Sequence, residues 1–155
     1  MKNEALKILP FWAVVIAAAV FLTACQTETT DLKDGYYTAQ AASFNRYGWK
    51  EFITIYVNNN TIVTAEYNAK NASGFIRSWD MDNMRQRRRA VGTYPNKYAR
   101  AYTVALLNRQ DPAQVQAVAG AEAAHRNFQA LAAAAIARAR DGNKMVAFVS
   151  LSDAE

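Results

Sequence analysis

The sequence predicts a single α+β domain: an antiparallel β-meander sheet packed against about three helices. Three observations carry this reading. Runs of β-branched and aromatic residues alternate as far as Tyr67, and the Asn58-Asn59-Asn60 triplet makes a turn between two of them. From Trp79 onward the apolar residues fall at helical spacing, and the longest such stretch is rich in alanine.

Ordered structure is expected to begin near Asp34-Gly35, with residues 36–42 as a first strand and 52–57 as a second. Asparagine tolerates positive φ, so the triplet turns the chain and residues 61–67 return as a third strand. Residues 68–74 read as a loop and 79–91 as a helix, with Gly92 and Pro95 acting as breakers. A second helix over 97–109 puts Tyr98, Tyr102, Ala105 and Leu106 on one face. Asp111-Pro112 with Gln114 caps a brief helical turn that reaches Val118. The longest helix, 121–140, has an apolar face of Ala124, Phe128, Leu131 and Ala135. Arg138 and Arg140 suit its negative C-terminal end, and Gly142 stops it. Residues 144–151 alternate as a last strand, with no internal repeat and no second domain.

Ahead of this domain, Lys2 and Lys7 precede an apolar stretch from Phe11 to Leu22, with Pro10 at its edge. The stretch is short for crossing a bilayer, which takes about 20 residues. It closes on Leu22-Thr23-Ala24-Cys25, which resembles the lipobox of bacterial lipoprotein signal peptides. The resemblance implies that residues 1–24 are removed and that Cys25 carries a diacylglycerol and an N-acyl chain of the palmitate kind. Residues 25–33 then form the lipidated cysteine and a polar tether, and 34–155 the domain. The expected location is the cell envelope, on the exported side of the cytoplasmic membrane or on the outer membrane, held by lipid.

Composition narrows the chemistry. Loss of residues 1–24 takes away Lys2, Lys7 and Glu4, so the formal charge falls from +5 to +4. Cys25 is the only cysteine and His125 the only histidine, so disulfides and multi-histidine metal sites are not expected. Excess positive charge points to anionic lipid, phosphate or an acidic partner before nucleic acid, for which no role is expected. The run from Arg85 to Arg89 reads as a solvated helix face, with lipid headgroups as the alternative contact. His125 and Glu122 stand three apart and could meet on one helix face, although one such pair specifies no reaction. Met81 and Met84 read as gap-filling apolar contacts. Tyr36, Tyr37, Phe44, Tyr47 and Trp49 serve either as core or as a ligand platform. No nucleophile, base and orienting group stand together, so catalysis by this chain alone is not expected.

Two stretches together resemble a known family. The first is Asp34-Gly35-Tyr36-Tyr37-Thr38-Ala39, followed by Tyr47-Gly48-Trp49-Lys50 and the meander. The second is Val115-Gln116-Ala117-Val118-Ala119-Gly120-Ala121-Glu122, running into the alanine-rich helix. Over residues 34–143 this order is similar to the bacterial FMN-binding domain family, in its small membrane-anchored lipoprotein branch. The resemblance implies an envelope electron carrier with protein redox partners and a cofactor site at Gly120, Ala121 and Glu122. Free N–H groups at Ala121, Glu122 and Ala123 would favour a phosphate there.

One departure alters that expectation. Flavinylated members of the family carry an acidic residue, two further positions, then Ser or Thr, Gly, Ala and a final Thr or Ser whose hydroxyl bonds the FMN phosphate. Here the corresponding positions hold Gln116, Ala119 and Glu122. Glu122 has no hydroxyl, so covalent FMN is not expected, and its carboxylate would repel a phosphate. Two readings stay open. FMN binds non-covalently, its ring on Trp49 or Tyr47 and its phosphate near Lys50 or Arg126, or the scaffold has lost the flavin and binds another envelope protein or ligand. A cavity beside residues 120–126 would favour the first.

Overall fold

The computed structural model describes residues 31–152, so the expected signal segment, Cys25 and the start of the tether lie outside the described residues. The chain divides into Met1–Thr30 and Asp31–Glu155, and the second unit is the folded domain. Its centre is a sheet of β1 (Gly35–Ala41), β2 (Lys50–Asn58), β3 (Thr61–Lys70) and β4 (Ala147–Val149), in the order β3-β2-β1-β4. β1 with β2 and β2 with β3 are antiparallel, which is the expected meander. β4 adds a parallel edge, pairing Ala39 to Ala41 with Ala147 to Val149. The sheet is therefore mixed, and the last strand, at three residues, is much shorter than its alternation suggested.

β2 starts two residues earlier than its β-branched run, because the alternation of buried positions Ile53, Ile55 and Val57 continues back to Glu51. β3 extends to match it, with Lys50 opposite Lys70. At the open edge of β3, Gln110 substitutes for a neighbouring strand. Its amide accepts from Ile62 N at 2.7 Å and donates to Ile62 O at 3.0 Å.

Three helices follow: α1 (Met81–Val91), α2 (Pro95–Arg109) and α3 (Glu122–Asp141). The expected start at Trp79 moves to Met81, since Asp80 caps the helix by accepting from Asn83 N at 2.9 Å. Trp79 ends the 3-10 turn Arg77–Trp79 instead. Pro95 opens α2 rather than breaking it, because a proline at the first helical position has no N–H to lose. The turn expected to reach Val118 is a single 3-10 turn, Pro112–Gln114.

α2 and α3 cover one face of the sheet. Tyr37, Ile53, Ile55, Val57 and Ile62 are buried there against Tyr98, Tyr102, Leu106, Phe128 and Leu131. Each large apolar side chain buried in this way contributes about 1.5–3 kcal/mol. Ala124, Ala132, Ala135 and Ala139 are all buried along α3, and their small side chains let the helix lie close to the strands. α1 is different, since it buries no residue. The domain also has two distinct ends. Asn60, in the β2–β3 turn, holds Leu32 N at 2.7 Å and Asp31 at 2.8 Å, so the chain enters at that end. Trp49 precedes β2 at the other end, roughly 30 Å away by strand rise.

Candidate ligand site at the Trp49 end

Two turns of the same construction shape this end. Asn45 Oδ1 accepts from Tyr47 N at 3.0 Å and Trp49 N at 2.9 Å, and Asn71 Oδ1 accepts from Ser73 N and Phe75 N at the same two distances. In each, the asparagine N–H donates to the carbonyl four residues on, and the glycine N–H, three residues on, donates to the asparagine carbonyl. Gly48 and Gly74 sit at φ of 79° and 84°, the left-handed backbone that closes such a turn. Each turn thus delivers one aromatic ring, and the rings of Trp49 and Phe75 lie 6.5 Å apart. The shared pattern Asn-x-x-Gly-aromatic is legible in the sequence once both copies are set side by side.

Trp49 and Tyr47 line a cavity of about 270 Å³ whose other walls are Arg77, Tyr98, Pro95 and the α1 residues Asn83, Gln86 and Arg87. Small-molecule sites usually measure about 300–1,000 Å³, so an occupant of flavin size would extend into the open mouth. Two cations and no carboxylate line it among the described residues. Arg77 is only 6% exposed. Its Nη2 donates to the Tyr98 hydroxyl in a short hydrogen bond, while its buried Nε–H has no partner. Arg87 is half-buried, and its Nη2 makes only a long 3.5 Å contact with Gly120 O.

Behind Trp49 lies a buried acid. Glu51 is 3% exposed, and it borders a small recess of about 40 Å³ that Trp49 also lines. Its Oε2 is 2.5 Å from the Tyr67 hydroxyl, and Asn127 Nδ2 donates to its Oε1 at 3.4 Å. Burial raises the Glu51 carboxyl above its usual range, against the lowering pull of Arg77, Tyr67 and Asn127. Burial also keeps the Tyr67 and Tyr98 phenols protonated. Tyr67 has one proton and two acceptors, Glu51 Oε2 and Ala124 O at 3.0 Å.

The start of α3 is built differently. Glu122 Oε1 accepts from Gly120 N at 3.0 Å, and hydrogen bonds from its own N–H and from Gly120 hold its carboxyl below the usual range. The loop before it is tied down. Tyr102 donates to Ala121 O at 3.0 Å and accepts from Val118 N at 3.3 Å. Gly120 has φ 78°, and an added Cβ would meet Val91 O at 2.6 Å, so its small size serves packing against the end of α1.

Among the residues expected at a site, Gly120, Ala121 and Glu122 therefore stand together, while Trp49 lines the cavity and is linked to Gly120 through Arg87. Lys50 turns elsewhere, its Nζ 5.4 Å from the Phe44 ring centroid and 6.0 Å from that of Phe148. Arg126 is exposed and faces Glu122 electrostatically. His125 is 2.7 Å from Val115 O through Nε2 and packs on Tyr102 at 5.4 Å. Within the arginine run, Arg85, Arg88 and Arg89 are exposed, Arg85 pairing with Asp82 at 3.0 Å, while Arg87 turns to the cavity. Met81 is 56% exposed, so it fills no gap.

Over 129 residues the chain is 30% identical to the 15 kDa lipoprotein of Treponema pallidum (strain Nichols), covering 83% of this chain and 90% of that protein. It belongs to the 15 kDa lipoprotein family. Membership makes it a small lipoprotein, and the Cys25 motif fits an anchor through lipid. No helix among the described residues is long and apolar enough to cross a membrane. A Clostridium perfringens protein of known crystal structure has the same fold, with a TM-score of 0.74 at 27% identity, over 78% of this chain and 99% of that one. No family model matches the chain. Neither relative's name speaks of a ligand.

Proposed function

We propose that this lipid-anchored envelope protein binds FMN non-covalently in the Trp49 cavity and serves as an electron carrier. The observation that carries the reading is one cavity that combines aromatic walls with two arginines. Stacking on Trp49 would hold the ring system and keep water from one of its faces. Arg77 and Arg87 would balance the negative charge of the ligand, while Asn83 and Gln86 offer both donors and acceptors to its polar atoms. Bound FMN would supply reversible electron uptake, and the protein's part would be to position it and tune it. The residues present fit such a ligand in chemistry, with the covalent link excluded because Glu122 offers no hydroxyl. Access also fits, since the cavity lies at the end of the domain opposite the point where the chain enters.

The test is an absorbance spectrum of residues 26–155 before and after incubation with FMN and desalting. Flavin bands that survive desalting and leave on denaturation support the proposal, and aromatic absorption alone overturns it. A second reading, a domain that docks on another envelope protein, draws on the exposure of Trp79 at 65% and Phe148 at 63%. Weak steady-state flavin affinity together with a specific partner captured through Trp79 would favour it.

A further inference from the structure

We propose that Arg77 and Arg87, which both line the Trp49 cavity, form the site for the phosphate of a phosphorylated aromatic ligand, and that the N-terminus of α3 does not. This rests on the flavin reading for the identity of the ligand, but not for the anion site itself.

The two places differ in what remains available. At α3 the Glu122 carboxylate already lies on Gly120 N–H, Tyr102 clamps the loop on both sides, and Val91 presses on Gly120. A phosphate arriving there would have to displace the Glu122 carboxylate from the Gly120 N–H and would meet its repulsion. At the cavity the reverse holds. Arg77 lines the cavity while almost wholly buried, its Nη2 on the Tyr98 hydroxyl and its Nε–H accepted by no protein group. The Tyr98 hydroxyl ties Arg77 to the cavity wall and lies close enough to Arg87 to feel its charge. Arg87 has only the long contact to Gly120 O to give up before it turns to a ligand. Planar guanidinium groups take phosphate oxygens in charge-assisted pairs, and no carboxylate lines the cavity among the described residues to compete.

The experiment uses residues 26–155 with three probes: inorganic phosphate, FMN and riboflavin. Phosphate is titrated while arginine Nε–H and backbone N–H resonances are followed. The expected result is movement of the Arg77 and Arg87 signals, with the Gly120, Ala121 and Glu122 amides still. FMN is expected to bind at least tenfold more tightly than riboflavin. Arg87→Gln, on an exposed helix whose folding it spares, brings that ratio close to one, and Arg89→Gln leaves it unchanged. Movement of the Gly120 to Glu122 amides with static arginines overturns the proposal, as does equal affinity for FMN and riboflavin in the unaltered protein. If phosphate moves the arginine signals and neither flavin binds, the anion site stands and the flavin reading falls.

Discussion

Two places in this domain offer positive charge, and they have had opposite fates. The start of α3 presents the partial charge of a helix N-terminus, and the chain's own Glu122 carboxylate occupies it. The cavity beside Trp49 presents two full charges, and nothing in its wall neutralises them at contact distance. A helix N-terminus attracts an anion only while its N–H groups are free. Here Glu122, two residues after Gly120, sets a carboxylate against the Gly120 N–H at that start. The cavity lies across Arg87 from the start of α3, so the two places adjoin at this end of the domain.

The strongest break of this contrast is Arg77→Ala. Removing a buried guanidinium takes the hydrogen bond from Tyr98 and opens a void, and truncating a large buried side chain costs about 2–5 kcal/mol. Chemical denaturation should show a large loss of stability, most of it absent in Arg89→Ala, whose side chain is exposed. On the closed side, Gly120→Ala combines positive φ with a clash on Val91 O, and thermal unfolding should report a loss of about 2 kcal/mol or more. Trp49→Ala sharpens the cavity side. Losing a stacking platform should weaken FMN by about ten- to a hundredfold in a fluorescence titration, the size of effect seen when an aromatic under a nucleobase is removed.

A smaller effect concerns pH. The Glu51 carboxyl titrates above its ordinary 4.5 in the folded protein, so its contribution is fully present below that value and is lost as pH rises through the folded value. Glu51→Gln keeps the acceptor for Tyr67 and removes the charge. Its stability relative to the unaltered protein should therefore improve from pH 5 to pH 8 in paired melting curves. The least consequence belongs to Glu122→Gln. Glu122 titrates below its usual range in the fold, so any stability it adds is present at neutral pH and fades as pH falls through its folded value. Because the group is solvent-exposed, the difference between the two proteins at neutral pH should be slight.

What could be read from the residues follows the range of the forces involved. The meander and α3 were legible because their signals are local: alternation, a turn triplet, and alanine spacing ended by Gly142. The last strand was also foreseen from its alternation, but its shortness and its parallel pairing with Ala39 to Ala41 were not, since a partner more than a hundred positions away leaves no local mark. Glu51 was legible in principle, for it shares the parity of Ile53, Ile55 and Val57, but it precedes the β-branched run and was read as outside the strand. Trp49 was read with its aromatic neighbours as either core or platform, and it lines the cavity. Arg77 was not anticipated, because it lies in a loop without periodicity and only the approach of Tyr98 from α2 buries it. Glu122 was expected to repel a phosphate, and the structure adds that its own loop receives the carboxylate.

The most direct test of the account is a titration of FMN fluorescence with residues 26–155, repeated with Trp49→Ala. The account predicts saturable quenching by the unaltered protein, weakened by at least tenfold in the variant. Flavin fluorescence that stays unchanged at every protein concentration, or that responds equally to both proteins, would contradict it.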